Sequence, residues 1–251
     1  MAMSVKTRKE RRKNPSPHTR TAVIDWPLVE RVLMCDAIRS TYLWGPPGIG
    51  KTYVAYHKGL AGRSLYAVTL TEETPASELR GMWIPKGGEL VWHDGPVARA
   101  MREGGRLTLN ELSHASEDVL AFAHPVLENP ATARITLPTN ETITPSAGFE
   151  VVVTDNVAPD ELPPALQDRF ETTLEIVEPH PEALALLSPK LREAALRSFA
   201  LEKERRVSLR GWLVLQRLEE VFGLHDACLV VFGAERGSQI HDGLVMAAED
   251  A

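Results

Sequence analysis

Apolar positions in the first 180 residues fall into two rhythms. Short apolar runs bounded by turn residues predict strands at Ser40 to Trp44, Leu65 to Leu70, Arg106 to Asn110, Phe149 to Thr154 and Thr173 to Ile176. Between them the spacing is helical. One helix is expected from Trp26 through about Ala37, with Pro27 in its first turn and Leu28, Val32 and Leu33 on one face. Others are expected over residues 51 to 60, a capped short helix within 71 to 81, and helices over 95 to 104, 116 to 128 and 162 to 170. Paired glycines, Gly87-Gly88, between apolar flanks predict a hairpin over 82 to 95, and residues 133 to 146 read as a second one. From Pro179 only helical spacing remains, in segments over 181 to 187, 190 to 205, 208 to 221, 224 to 231 and 240 to 248. The alternation predicts an α/β domain over 23 to 178, followed by an α-helical domain over 179 to 251.

The gap between the first strand and its helix holds the most specific chemistry. Gly45-Pro46-Pro47-Gly48-Ile49-Gly50-Lys51-Thr52 fits G-x-x-x-x-G-K-[ST] at every fixed position. Glycines let successive backbone N–H groups turn into one anion-sized hollow at the start of the following helix. In that arrangement Lys51 reaches the β- and γ-phosphates of a nucleoside triphosphate and the Thr52 hydroxyl ligates Mg²⁺.

Arg106-Leu107-Thr108-Leu109-Asn110-Glu111 runs a strand into two polar side chains at its carboxyl end, where ligands sit in open α/β sheets. In a phosphate-loop enzyme this is the Walker B position; the alternative is that Asn110-Glu111 opens a surface turn before Ser116, which would cap the next helix. Asn110 would steady Mg²⁺ through a water without supplying charge, and Glu111 would orient and polarise the attacking water. Replacing Asn110 by aspartate is then expected to speed turnover. The strand over 149 to 154 ends in Asp155-Asn156, so Asn156 can reach the γ-phosphate or the lytic water if that strand lies beside the first; a strand-end turn accounts for it equally well. Arg169 is the residue of interest in the segment that follows, and its plain reading is a local pair with Asp168 or Glu171.

Composition narrows the setting. With 251 residues, 43% hydrophobic and 25% charged, the chain has the content of a soluble protein with a sizeable core. It lacks a run of the ~18 apolar residues that a membrane span needs and a signal-type leader, so a cytoplasmic location is expected. Cys35 and Cys228 form no motif and read as buried thiols. Residues 1 to 20 carry seven Lys or Arg against Glu10, so the rest carries −12 against a whole-chain charge of −6. The basic leader, residues 1 to 22, reads as a disordered arm. The acidic body argues against a nucleic-acid partner without excluding one.

Together these stretches resemble an AAA+ ATPase of the MoxR and dynein-related group, over about residues 25 to 250. The resemblance rests on their order: Leu79-Arg80-Gly81, the glycine hairpin, Asp94-Gly95-Pro96 and Gly104-Gly105 before Asn110-Glu111, then residues 149 to 156, Leu162-Pro163-Pro164-Ala165-Leu166 and Asp168-Arg169-Phe170. It implies a P-loop NTPase fold with a five-stranded parallel sheet of order 5-1-4-3-2 flanked by helices, and a small helical lid. It implies ATP and Mg²⁺ as ligands, a ring-shaped homo-oligomer, usually a hexamer in that group, and a protein partner that the ring remodels. By position Asn156 matches sensor 1, Arg169 the arginine finger and Arg210 sensor 2. Two rivals stay open: a nucleotide-dependent switch with little hydrolysis, for which Asn110 is the motive, and a nucleic-acid-acting NTPase similar to the McrB-type restriction subunits.

Overall fold

The computed structural model describes residues 24–201 and 205–249. The basic leader and the expectation attached to it lie outside the described residues.

The strand before the glycine-rich loop, β1 (Ser40–Trp44), follows helix α1 (Trp26–Leu33) and leads into α2 (Lys51–His57). Next come β2 (Leu65–Thr69), α3 (Ala76–Arg80), the hairpin β3 (Gly81–Lys86) and β4 (Glu89–Asp94), α4 (Pro96–Glu103) and β5 (Arg106–Asn110). Helix α5 (Glu117–Val126), the small hairpin β6 (Ile135–Thr136) and β7 (Thr142–Ile143), and β8 (Glu150–Asp155) follow, then α6 (Pro164–Gln167) and β9 (Thr172–Glu175). The remainder is helical: α7 (Pro181–Ala185), α8 (Pro189–Phe199), α9 (Leu209–Phe222), α10 (Leu224–Phe232) and α11 (Ala234–Glu249).

Five parallel strands form one sheet of order β2-β5-β8-β1-β9. Counting only its own strands along the chain, that is 5-1-4-3-2 from the β9 edge, as the resemblance implies. Side-chain alternation sorts the two faces. Tyr42, Leu107, Leu109, Val151 and Val153 meet α3, α4 and α5, whereas Leu43, Val152 and Leu174 meet α1 and α2. A third apolar cluster, centred on Leu191, Trp212 and Leu215, holds the carboxyl-terminal helices together. Among the described residues no helix is long and apolar enough to cross a membrane.

Some helices stop short of where periodicity alone would end them, and long-range contacts give the reason. Arg106 is fully buried and pairs with Glu150 at 2.7 Å. Its guanidinium also donates to the carbonyls of Leu33, Ala55 and Lys58, at the carboxyl ends of α1 and α2. Carbonyls that would otherwise need another helical turn are satisfied there, so α1 ends at Leu33 rather than near Ala37 and α2 at His57 rather than Leu60. Helix α8 ends at Phe199, where the Ser198 hydroxyl takes the Val207 N–H at 2.7 Å. The last helix starts at Ala234 and not near Ile240. Cys228 is buried as expected, but Cys35 is only half-buried.

Candidate functional site

Parallel register aligns the ends of β1, β5 and β8. Trp44 pairs with Asp155, and Asn110 pairs with Thr154. The glycine-rich loop leaves this edge directly after Trp44. Its backbone excludes a side chain at Gly45 and Gly50 among its glycines: a Cβ at Gly45 would lie 1.8 Å from the Ile176 carbonyl oxygen, and one at Gly50 would lie 2.8 Å from His180 Cβ, both at positive φ. Because Gly50, the residue before α2, has no side chain to cap that helix, the first N–H groups of α2 remain available to a bound anion. The loop is also tied to the helical part, where the Leu209 N–H donates to the Gly48 carbonyl at 3.1 Å.

A cavity of about 680 Å³ opens above this edge, of a size suited to a small organic ligand. Lys51, Thr52, Asn110, Glu111, Asn156 and Arg210 all line it. Lys51 is buried and donates from Nζ to the carbonyls of Gly45 (2.9 Å) and Pro46 (2.8 Å) and to Asn156 Oδ1 (3.1 Å). Burial pushes its ammonium down to about 8, against the opposing pull of Asp155 and Glu111. A positive group held this way, beside a hollow of free N–H groups, fits a triphosphate.

Thr52 Oγ1 lies 3.4 Å from Thr154 Oγ1, and the Thr154 hydroxyl donates to Asn110 Oδ1 at 2.7 Å. Asn110 is 5% exposed, and its Nδ2 donates to the Tyr56 hydroxyl (2.7 Å) and the Val68 carbonyl (3.3 Å). That carbonyl can only accept, so the Asn110 amide is oriented with its oxygen toward Thr154 and Thr52. Glu111 follows with φ 60° and ψ 46°, a left-handed conformation costing a non-glycine residue about 1–2 kcal/mol. Its N–H donates to the Thr154 carbonyl at 2.7 Å, and its half-exposed carboxylate lies 3.3 Å from His114 Nδ1. The turn it opens leads to Ser116, which caps α5, so the strand end serves the local turn and the cavity together.

Arg210 is exposed on the first turn of α9, which Ser208 caps. Arg169 is elsewhere. Its carbonyl accepts from the Ser40 hydroxyl at the amino end of β1, the opposite edge of the sheet from the cavity. The guanidinium grips Glu128 Oε1 (2.9 and 2.6 Å) and the Ala165 carbonyl. The local pair considered with Asp168 or Glu171 is therefore replaced by one with a residue 41 positions away, just past the end of α5. Sequence reasoning also misses Thr154 and Asp155, which line the cavity. Their signal is the polar run Thr154-Asp155-Asn156, of which strand-end position singles out only the last residue.

Comparison with known proteins follows the same residues. Residues 40–170 match the family model for the AAA domain (dynein-related subfamily). Protein NorQ of Paracoccus denitrificans is 41% identical over 118 residues, covering 45% of this chain and 42% of that one. Denitrification regulatory protein NirQ of Pseudomonas aeruginosa is 33% identical over 115 residues, covering 45% and 44%. Protein CbbQ of Hydrogenophilus thermoluteolus is 29% identical over 174 residues, covering 62% and 64%. The chain thus spans less than half the length of NorQ and NirQ.

Proposed function

Because the chain belongs to the dynein-related subfamily of AAA domains, MoxR-like AAA+ ATPases that use ATP and Mg²⁺, we propose that it hydrolyses ATP within a ring of identical subunits and thereby remodels a partner protein. The observation carrying this reading is the convergence of Lys51, Thr52, Asn110, Glu111 and Asn156 on one cavity, which Arg210 of α9 also lines. Lys51 would leave the Gly45 and Pro46 carbonyls to meet the β- and γ-phosphates. Thr52 would hold Mg²⁺, with the Asn110 oxygen turned the same way, and the ion would offset phosphate charge. Glu111 would take up the lytic water's proton, and Asn156, already facing Lys51, would sense the γ-phosphate. Arg210 would carry the state of that phosphate to the helical domain.

Arg169 would act on the neighbouring subunit's nucleotide. Its position on the opposite edge from its own cavity supports a role between subunits, and Glu128 must then yield the guanidinium when the ring closes. The relative named as a denitrification regulatory protein supports a regulatory role.

A second reading, a nucleotide switch with little turnover, has one observation in its favour: Asn110 brings no charge, and every polar atom of its amide is already engaged. Turnover and ATP binding of the purified protein separate the two. On the first reading Glu111→Gln keeps ATP binding and loses turnover by about a hundredfold or more. Arg169→Ala is inactive alone and regains activity when mixed with Glu111→Gln subunits. Negligible turnover of the parent protein, with tight ATP binding, would favour the switch.

A further inference from the structure

Asp155 is 2% exposed at the end of β8, lines the cavity, and is assigned no part in the chemistry above. Both of its oxygens are engaged. Ser113 donates its N–H to Oδ2 and its hydroxyl to Oδ1, both at 2.8 Å, and the Asn156 N–H donates to Oδ1 at 2.7 Å. Ser113 lies two residues after Glu111, inside the turn that Glu111 enters in its left-handed conformation. A strained backbone of that kind persists only where the surroundings over-determine it. Here two clamps do so: the Glu111 N–H on the Thr154 carbonyl, and Ser113 on the Asp155 carboxylate.

We infer that Asp155 is a positioning residue that fixes Glu111 and Asn156 relative to each other by bridging the turn after β5 to the end of β8. The inference rests on the reading of Glu111 as the group that activates water. One carboxylate receives the turn behind Glu111 on one side and the backbone of Asn156 on the other. Asn156 in turn holds Lys51 at 3.1 Å. The two polar strand ends that must meet one γ-phosphate are thereby linked through one buried anion. Loosening this bridge lets the Glu111 carboxylate wander by the ångström or so that costs about a hundredfold in a positioned reaction. Nucleotide binding, which rests on the glycine-rich loop, is largely spared.

The test uses Asp155→Asn, which keeps size but turns an amide donor toward a donor, and Ser113→Ala, which removes the hydroxyl bond to Oδ1, leaves the Ser113 N–H on Oδ2, and does not alter charge near Lys51. Three readouts are taken on the full chain: kcat for ATP, Kd for a fluorescent ATP analogue, and amide exchange by mass spectrometry without nucleotide. For Asp155→Asn we expect kcat to fall by about tenfold to a hundredfold with Kd weakened less than about threefold. Ser113→Ala moves kcat in the same direction by a smaller factor. Exchange should quicken over residues 111–116 and 155–157 while the sheet stays protected. Unchanged kcat in folded Asp155→Asn overturns the inference, as does a parallel loss of kcat, affinity and protection across the whole sheet, which marks a purely structural role. Glu111→Gln is run alongside. If it keeps turnover, the reading of Glu111 fails and the inference with it; if it is inactive while Asp155→Asn is active, only the inference fails.

Discussion

Asn110→Asp is a single-group exchange, NH₂ for O⁻, and sequence logic treats it as a repair of the Walker B strand. The hydrogen bonds say otherwise. In the parent protein the Asn110 oxygen accepts from Thr154 at 2.7 Å, while Nδ2 donates to Tyr56 at 2.7 Å and to the Val68 carbonyl at 3.3 Å. Aspartate keeps the first contact, and the Tyr56 hydroxyl can rotate to donate. Val68 cannot. Its carbonyl would face a carboxylate oxygen at the same separation, with no proton between them and almost no water, since the position is 5% exposed. Losing that bond and leaving two buried acceptors opposed costs about 1–3 kcal/mol, before the added cost of burying the charge.

The nucleotide-free variant should therefore unfold roughly 2–12 °C below the parent at pH 7, at about 2–4 °C per kcal/mol for a chain of this size. The pH dependence carries a definite sign. Opposition from Val68 raises the introduced carboxyl, once folded, above its unfolded value of about 3.9, so the folded state holds its proton longer. The deficit is then absent below about pH 4, where the protonated carboxyl can donate to the Val68 carbonyl, and it deepens as pH rises to the folded value. With Mg²⁺ and ATP the new charge gains a partner. The gap to the parent should narrow, and any gain in turnover should be confined to limiting Mg²⁺. Urea unfolding at several pH values, with and without Mg²⁺–ATP, and turnover across Mg²⁺ concentration read both effects. A nucleotide-free variant as stable as the parent at pH 7 would refute the reasoning, because the amide would then not be donating to Val68.

The buried guanidinium at 106 and the pocket lysine supply further tests. Arg106→Met strips the Leu33, Ala55 and Lys58 carbonyls of their donor and leaves Glu150 with Arg63 alone, whereas Glu150→Gln leaves the buried Arg106 without its counter-charge; each should cost about 3–5 kcal/mol in urea unfolding at constant m, and either variant within about 1 kcal/mol of the parent contradicts the clamp. With Lys51 at about 8 in the free protein and restored toward its ordinary value by phosphate, Mg²⁺-free ATP binding should take up a proton near pH 8 and weaken about tenfold between pH 7 and 9. Titration calorimetry in two buffers of different ionisation enthalpy measures that uptake, and a flat profile would mean that Lys51 is already charged there. Without nucleotide the same depressed lysine makes stability rise with pH between about 8 and 10.5, since the unfolded state then binds the extra proton.

What could be read from the sequence was whatever a short stretch specifies within itself. The glycine spacing at 45–52 requires a particular backbone, and the five apolar runs reported the strands to within a residue or so. The order of those strands came with the resemblance, and the sheet agrees with it. What stayed hidden depends on residues far apart in the chain. The end of α1 is decided by Arg106, whose guanidinium takes the Leu33 carbonyl across 73 positions. The partner of Arg169 lies 41 positions away at Glu128, and the partner of Asp155 lies 42 away at Ser113. No periodicity encodes such pairs, because each is set by which strand ends and helix ends the sheet places side by side. The same physics explains why Asn110 reads as a weakened aspartate in sequence and as a committed amide in the fold. Its two donors answer to Tyr56 on α2 and Val68 on β2, elements that meet it only once the parallel register has formed. Motifs supply the chemical groups, but which of them is free to act is decided by such distant partners, and among the described residues Lys51, Thr52, Asn110, Asn156 and Arg169 each have one already.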